Sequence, residues 1–430
     1  MECNPERAYI YCTPFLDEID RIKKSCTAHR FAEPQNYVQT KLDDFNDLLE
    51  QQRDIAVTHS TFLNSTQDTI DLIRRGGYTI IIDEALDVLS EFNKIGLVEN
   101  DSEQTIKHGD IQKLLDGKFI EIDSRLGAVK WVGKHYDDGK YTILERLARL
   151  NRVYLVRGKM MVCVFPPEMF RASQQVFVMT YMLGGSPIKP YFDLFRLEYE
   201  MKTVCQQSGE YALREYTADS DTWFRNQFRE LVSICSSDSL NAYDRYSLSK
   251  SWYARNTKKD GSEKLKAHMG YFFRKVAKAK ASNIVGEVKD GVDLRQTEIM
   301  WTCFKDYQRD ISGQGYTTAR HLTKEEKKLP EAIQEEIESR LSCFVSCNAK
   351  ATNKYCYRWA LAYCCNLYYS EMLSGFFTDN GIEFDNDKFA LSNLIQWICR
   401  SRVRNGEPVV LYLPSSRMRS LYQKWLDGVM

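Results

Sequence analysis

The chain has 430 residues, more than one ordinary hydrophobic core accommodates, so two domains are expected. Its 59 Lys plus Arg balance its 59 Asp plus Glu, so global charge favours no nucleic-acid or membrane partner and any basic surface has to be local. A hydrophobic content of 43% excludes a disordered chain, and no apolar run approaches the roughly 18 residues that a membrane-spanning helix requires.

The N-terminal hundred residues alternate strand-like and helix-like stretches. "AYIYCT" reads as a strand almost at the start of the chain, as an edge strand or a reading frame clipped upstream would. "FLDEIDRIKKSC" carries Phe15, Ile19 and Ile22 at helical spacing, and "KLDDFNDLLEQQ" is a second helix. "DIAVTHS" is a strand, "STQDTIDLIRR" a helix opened by Ser65 and Thr66, and "YTIIIDE" a strand. This alternation predicts an α/β domain with a largely parallel sheet. The more polar residues 100–160 read as an insertion, and "QQVFVMTYMLGG" (174–185) as a further buried strand of the same domain.

After about residue 195 the composition shifts. Residues 205–290 form a charged segment that interleaves Trp252, Tyr253, Tyr271, Phe272 and Phe273 with many Lys and Arg. Cations and aromatic faces together suit phosphates and bases, whereas the plainer reading is a solvated helix whose aromatics face the core. "EIMWTCFKDYQ" and "LSCFVSCNAKATN" read as strand-then-loop units, "ALSNLIQWICRSRVRNG" as a helix ending near Gly406, "PVVLYLPS" as a strand and "RMRSLYQKWL" as a closing helix. The thirteen cysteines include no CxxC pair, and no secretory signal precedes them, so they read as reduced thiols of a cytoplasmic protein. A zinc site from Cys343, Cys347 and Cys356 lacks the paired spacing such sites use.

"IIIDEAL" (80–86) poses the sharpest question, because a buried strand runs straight into two adjacent carboxylates. In an open parallel sheet, ligands bind beyond the carboxyl ends of the strands. Asp83 there suits a hydrated Mg²⁺ held against phosphates, and Glu84 suits orienting and deprotonating a water. The alternative is that the two acids simply open a helix, "EALDVLSEF". Gln396, Arg400 and Arg404, four residues apart, share one face of their expected helix, and Arg402 points elsewhere.

Taken in order, these stretches resemble the superfamily 2 DEAD/DEAH-box helicase-like ATPases of bacteriophage type. "YCTPFLDEIDRI" looks like motif Ia, "THSTF" the next strand-end motif, "IIIDEAL" motif II and "MTYML" the coupling motif; "WTCFK", "NAKATN" and "QWICRSRVR" look like motifs IV, V and VI. The resemblance implies two RecA-like parallel-sheet domains in tandem. The first, residues 1–195, is N-terminally incomplete and carries the 100–160 insertion; the second, residues 196–430, carries the basic one. It implies ATP and Mg²⁺ as cofactors, with Asp83 binding the metal, Thr180 (with Tyr181) in the coupling motif of the nucleotide site, Glu84 as base, and Gln396, Arg400 and Arg404 facing the phosphates. Thr13, Pro14, Thr58, His59, Ser60, Asn348, Thr352 and Asn353 would contact nucleic acid, single-stranded or duplex, with DNA the favoured form. The place of action would be the bacterial host cytoplasm, without a membrane partner. The sequence departs from the family in two respects. Cys399 and Val403 stand where motif VI carries Gly and its second arginine, and no glycine-rich loop ending in Gly-Lys-Ser/Thr precedes "AYIYCT". A clipped copy of an ATPase is therefore the leading expectation, with an ATP-incompetent nucleic-acid-binding module and a DNA-packaging motor as rivals. The motor would need clustered acids in the C-terminal half, where Asp385 and Asp387 read as a turn.

Overall fold

The computed structural model describes the chain except at residues 2–3, 5, 38, 100–101, 137–138, 208, 258–259, 286–297, 319–320 and 350–353. The chain divides into two α/β units. The first comprises Met1–Tyr199 and Tyr369–Asp385, the second Glu200–Tyr368 and Asn386–Met430.

The first unit contains strands β1 (Tyr9–Thr13), β2 (Ile55–Thr58), β3 (Thr79–Asp83), β4 (Leu89–Glu91), β5 (Ile120–Ile122), β6 (Val129–Trp131), β7 (Val153–Val156), β8 (Met160–Val164) and β9 (Gln175–Met179). Four of them form a parallel sheet in the order β2-β1-β3-β9. β1 is buried along its whole length, and Ile80 and Ile82 of β3 are equally enclosed. Burial of such a side chain is worth roughly 1.5–3 kcal/mol, which fixes β3 as an inner strand. The helix before it, Gln67–Gly76, stops at Gly77, whose left-handed φ of 62° turns the chain into β3. The helix Lys41–Glu50 opens with a reciprocal cap between Thr40 and Asp43.

β9 is an edge strand, and its middle residues are half-buried rather than enclosed. The fully buried strand expected at 174–185 is corrected in this respect, because among the described residues no strand covers its outer side. Between β3 and β9 the chain builds a second layer. β4, β8 and β7 pair antiparallel, β5 and β6 form a ribbon, and Phe92, Leu114, Trp131, Leu144 and Val153 make their common core. No helix follows β3; the chain enters β4 after an irregular segment, so the expected helix "EALDVLSEF" is not formed.

The second unit has an exposed hairpin of β10 (Lys202–Gln207) and β11 (Glu210–Glu215). Its parallel sheet orders β12 (Val232–Ile234), β15 (Val409–Tyr412), β14 (Ala360–Tyr363) and β13 (Ile299–Thr302) as β12-β15-β14-β13. Trp301, Trp359, Trp397, Tyr363 and Tyr412 fill its core. In the basic segment, Tyr253, Phe272 and Phe273 are buried, Phe272 stacks on Tyr412 and Phe273 on Tyr316, while Tyr271 is exposed. The plainer reading of those aromatics therefore holds for three of them. The strand expected in "LSCFVSC" is replaced by the end of the helix Glu331–Leu341 and two isolated bridges, Thr318 to Ser342 and Trp301 to Phe344.

Residues 369–385 belong to the first unit although they lie late in the sequence. Their helix, Glu371–Thr378, sets Phe376 edge-on to Tyr154, and Arg157 forms a two-pronged pair with Asp379 at 2.8 and 2.9 Å. In the second unit, Arg417 clasps both flanks of this excursion. Its guanidinium donates to Asn366 Oδ1 and the Leu367 carbonyl on one side, and to the Asn386 carbonyl and Asp387 Oδ1 on the other. Its carbon centre also lies 4.1 Å from the Tyr368 ring centroid. Asp387 is thereby engaged in a structural pair. Removing a buried guanidinium that serves several acceptors costs about 2–4 kcal/mol. Arg417→Ala is expected to lower the urea midpoint accordingly, and Arg417→Lys to recover less than half of the loss, because an ammonium cannot span both flanks as the planar fork does. Equilibrium unfolding monitored by tryptophan fluorescence checks both.

Candidate functional site

The carboxyl ends of β1, β2 and β3 lie side by side in the first unit. Thr13 and Thr58 are direct register partners at the ends of β1 and β2, and Asp83 ends β3 opposite Met179 of β9. The tip of β3 is held by three separate neighbours. The Tyr11 hydroxyl donates to Asp83 Oδ2 at 3.0 Å, His59 Nε2 meets the Asp83 carbonyl at 2.9 Å, and the Glu84 amide donates to the Met179 carbonyl at 2.9 Å. Since a carbonyl only accepts, His59 carries its proton on Nε2. Glu84 adopts a left-handed φ of 62°, unusual for a residue with a Cβ and worth roughly 1–2 kcal/mol of strain.

Asp83 and Tyr11 face the helix Leu16–Ser25, from which Arg21 reaches the Tyr11 hydroxyl at 3.3 Å while also pairing with Glu18. Burial raises the Asp83 carboxyl above its usual range; the Tyr11 hydrogen bond opposes this, the charges of Glu84 and Glu18 add to it, and Arg21 counters. Burial together with Asp83 drives the Tyr11 phenol up as well. Cys12, fully enclosed beside Asp83, is likewise pushed up by burial and remains a protonated core thiol. Thr13 is completely buried, and its hydroxyl has no hydrogen-bond partner among the described residues. The arrangement thus offers adjacent carboxylates, one of them raised in pKa by burial, beside two threonine-tipped strands.

Of the residues expected from sequence, Thr13, Pro14, Thr58, His59, Ser60, Asp83, Glu84 and Thr180 all lie at or just beyond the carboxyl ends of this one sheet. Within the group the environments differ. His59 is buried and Ser60 exposed, and Thr58 caps the short helix His59–Leu63, where β2 has already ended. Tyr11, Arg21 and Glu18 escaped sequence reasoning. The period of two between Tyr11 and Thr13, and Tyr11's place two strand residues from the tip, were the available signal for the first.

In the second unit the 396–404 stretch is not one helix. The helix Asn386–Ile398 ends before Arg400; the Ser401 side chain accepts from the Val403 amide to start a separate turn, and Gly406 closes it at φ 75°. The shared helical face of Gln396, Arg400 and Arg404 is thereby corrected. Gln396 donates to Ser392 Oγ, Arg400 is buried at 7% exposure, and Arg404 is exposed. Arg402, expected to point away from that face, pairs with Glu407 at 2.8 Å. Residues 402–407 lie at the amino end of the sheet, where Arg402 donates its amide to the Arg358 carbonyl just before β14. Asn348 lies on a turn and accepts from Ser346 Oγ; the run 344–345 that leads to it follows β13 in parallel. Thr352 and Asn353 lie outside the described residues. Among the described residues no group of three or more His, Cys, Asp or Glu could hold a metal ion, so the trio of Cys343, Cys347 and Cys356 forms no such cluster. No helix among them is long and apolar enough to cross a membrane.

Both units are thus α/β with parallel sheets, and the second is Rossmann-like: residues 226–426 match the family described as the YonV C-terminal Rossmann-like domain. Over 434 residues the chain is 29% identical to the SPbeta prophage-derived uncharacterized protein YonV of Bacillus subtilis (strain 168), an alignment covering 98% of this chain and 92% of that protein. A solved structure titled XPD_Helicase aligns over 99% of this chain and 85% of its own, at 11% identity and a TM-score of 0.29.

The Tyr11 bond makes a specific titration prediction. In Tyr11→Phe the carboxylate loses a donor that favours its charged form, so the Asp83 carboxyl is expected to titrate at higher pH than in the parent, as read from its ¹³C shift. The linkage has a definite sign. A carboxyl whose folded value lies above its unfolded value binds protons more tightly when folded, so it erodes stability as pH rises through the interval between the two. Asp83→Asn should flatten that part of the stability–pH curve and leave the variant more stable than the parent above it.

Proposed function

We propose that the chain is a nucleic-acid-dependent nucleotide-hydrolysing motor of helicase or translocase type, acting in a phage-related replication or recombination setting in the bacterial cytoplasm. One observation carries the reading: adjacent carboxylates stand at the carboxyl tip of an inner parallel strand, with the threonine-tipped ends of β1 and β2 next to it on one side and β9 on the other. Ligands of open parallel sheets gather at such tips.

The donor set fits Mg²⁺. Asp83 keeps Oδ1 beside the Oδ2 that Tyr11 engages, and a divalent cation would offset the burial that now raises its pKa. Bound there, the ion would neutralise phosphate charge. In this proposal Glu84 orients the attacking water and accepts its proton, while Arg400 and Arg404, with Gln396, supply donors to the phosphates. Pro14, Thr58 and Ser60 in the first unit, and Asn348, Thr352 and Asn353 in the second, hold the sugar-phosphate backbone without reading bases, and the enclosed Thr13 and His59 support the strand ends behind them. Thr180 and Tyr181 link the nucleotide to the strand.

The triphosphate itself is not accommodated by this sequence alone, which has no Gly-Lys-Ser/Thr loop. The half-buried outer strand β9, with Met179 45% exposed, is the natural landing place for a further strand that brings such a loop. The same lack of a phosphate cradle favours a second reading, a binding module that uses no nucleotide.

The test measures ATP hydrolysis with single-stranded DNA, duplex DNA and RNA, first with this chain and then with a strand–loop segment ending in Gly-Lys-Thr fused upstream. Strand-stimulated turnover is expected only in the fusion. There Glu84→Gln should lower it by about 10²–10⁴-fold, the usual contribution of a general base, while sparing ATP binding. Nucleic-acid binding without stimulated turnover in the fusion would leave the binding module standing; persistent turnover in Glu84→Gln would remove Glu84 from the base role.

A further inference from the structure

A cavity of about 490 Å³ opens in the first unit between the short helix after β2, the irregular segment after β3, and the layer built by β4, β7 and β8. Its size lies within the range of small-molecule sites. Leu63, Leu147, Val164 and Phe165 give it apolar walls. Ser60, Asn64 and Ser90 add hydroxyl and amide groups.

Arg152, at the start of β7, lines the same space. Its NH2 nitrogen donates to the Leu63 carbonyl at 2.7 Å and its NH1 to the Ser65 carbonyl at 3.4 Å, which fixes the guanidinium against the end of the short helix. Two carbonyls do not neutralise a cation. Its Nε is buried and has no hydrogen-bond partner among the described residues. Burial lowers its pKa, and of the titratable groups that bear on it Cys163 and Tyr191 are neutral, because burial raises both, while Arg146 is a like charge. A guanidinium in these surroundings remains protonated, so a positive charge faces a largely apolar cavity without a counter-charge of its own. Asp87 also lines the cavity, so the space carries an anionic as well as a cationic side chain.

We infer that this cavity binds a small organic anion, with its carboxylate, sulfonate or phosphate group against Arg152 and an apolar body between Leu63, Leu147 and Phe165. The charge of Arg152 selects the head group and the walls accept the rest. The cavity adjoins the Asp83 tip through Ser60 and the segment after β3, but the inference rests on Arg152 and the apolar walls and does not depend on the motor reading.

The probe is 1-anilinonaphthalene-8-sulfonate, which joins an aromatic body to a fixed anion, compared with N-phenyl-1-naphthylamine, which lacks the sulfonate. The full chain should bind the sulfonate saturably at one site and the neutral compound at least tenfold more weakly. Arg152→Met should abolish that preference. Gly96 lines the cavity, and a Cβ built on it meets no atom within 4 Å, so Gly96→Phe has room to enter the space and should weaken both probes at least tenfold. Circular dichroism of each variant separates loss of the site from loss of the fold, and Gly96→Phe keeps the test decisive where Arg152→Met unfolds. Non-saturable binding, equal affinity for the two probes in the parent chain, or undiminished binding in folded Gly96→Phe would each overturn the inference.

Discussion

The end of β3 is the constraint around which the first unit is organised. An inner strand of a parallel sheet has little freedom in where it stops, because its backbone groups are committed on both sides. Here the last three polar groups are committed to three different neighbours. The Asp83 carboxylate goes to β1 through Tyr11, its carbonyl to the helix after β2 through His59, and the Glu84 amide to β9 through Met179. With its amide tied to β9, Glu84 takes a left-handed conformation, and the chain leaves the sheet as an irregular segment instead of a helix. The paired acids are therefore no helix-opening device. Their position is set by the sheet, and the strain at Glu84 is sustained by the surrounding hydrogen bonds.

From that tip the rest of the unit follows. β9 continues the ladder but has no partner on its outer side, so an apolar strand is left at an edge where proteins ordinarily avoid one. The layer between β3 and β9 departs from the tip and comes back to the sheet, enclosing the Arg152 cavity on the way. A segment late in the sequence completes this layer through Phe376 and the Arg157–Asp379 pair, and its flanks in the second unit are gathered by Arg417.

How much of this was legible depended on what each element buries. "TIIID" and "YIYCT" announce themselves because β-branched and aromatic runs of that length bounded by turns fit buried strands well. "ALAY" gives a weaker signal: it lies in the apolar run "WALAYCC" (359–365), whose alanines and leucine suit a buried helix as well as a strand, and its pairing with β13 and β15 is what defines β14. The 396–404 stretch misled for the opposite reason. Spacing of four residues implies a shared face only while the helix lasts, and Ser401 and Gly406 are the stop signals that outweigh the periodicity. Of the candidate site, the carboxylates and the threonine-tipped strands were readable as strand ends; Tyr11 and Arg21 were not, because their importance lies in which faces the sheet and helix turn toward Asp83.

Two guanidinium groups show how the same chemistry serves different ends. Arg417 is almost fully buried, yet it donates to carbonyls, an amide oxygen and a carboxylate, so its desolvation is matched by partners on every side. Arg152 is held by only two carbonyls, with its Nε unserved. A fully satisfied buried cation is a fastening, and its loss is felt as lost stability. An under-satisfied one retains free energy that only an anion can release, and that remainder is available for binding. Asp83 belongs with Arg152 in this respect. It is a carboxylate whose burial is offset mainly by one tyrosine hydroxyl, placed where a cation would relieve it. In both places the fold bears a local electrostatic cost next to open space, whereas Arg417, which fastens the chain, is served on every side.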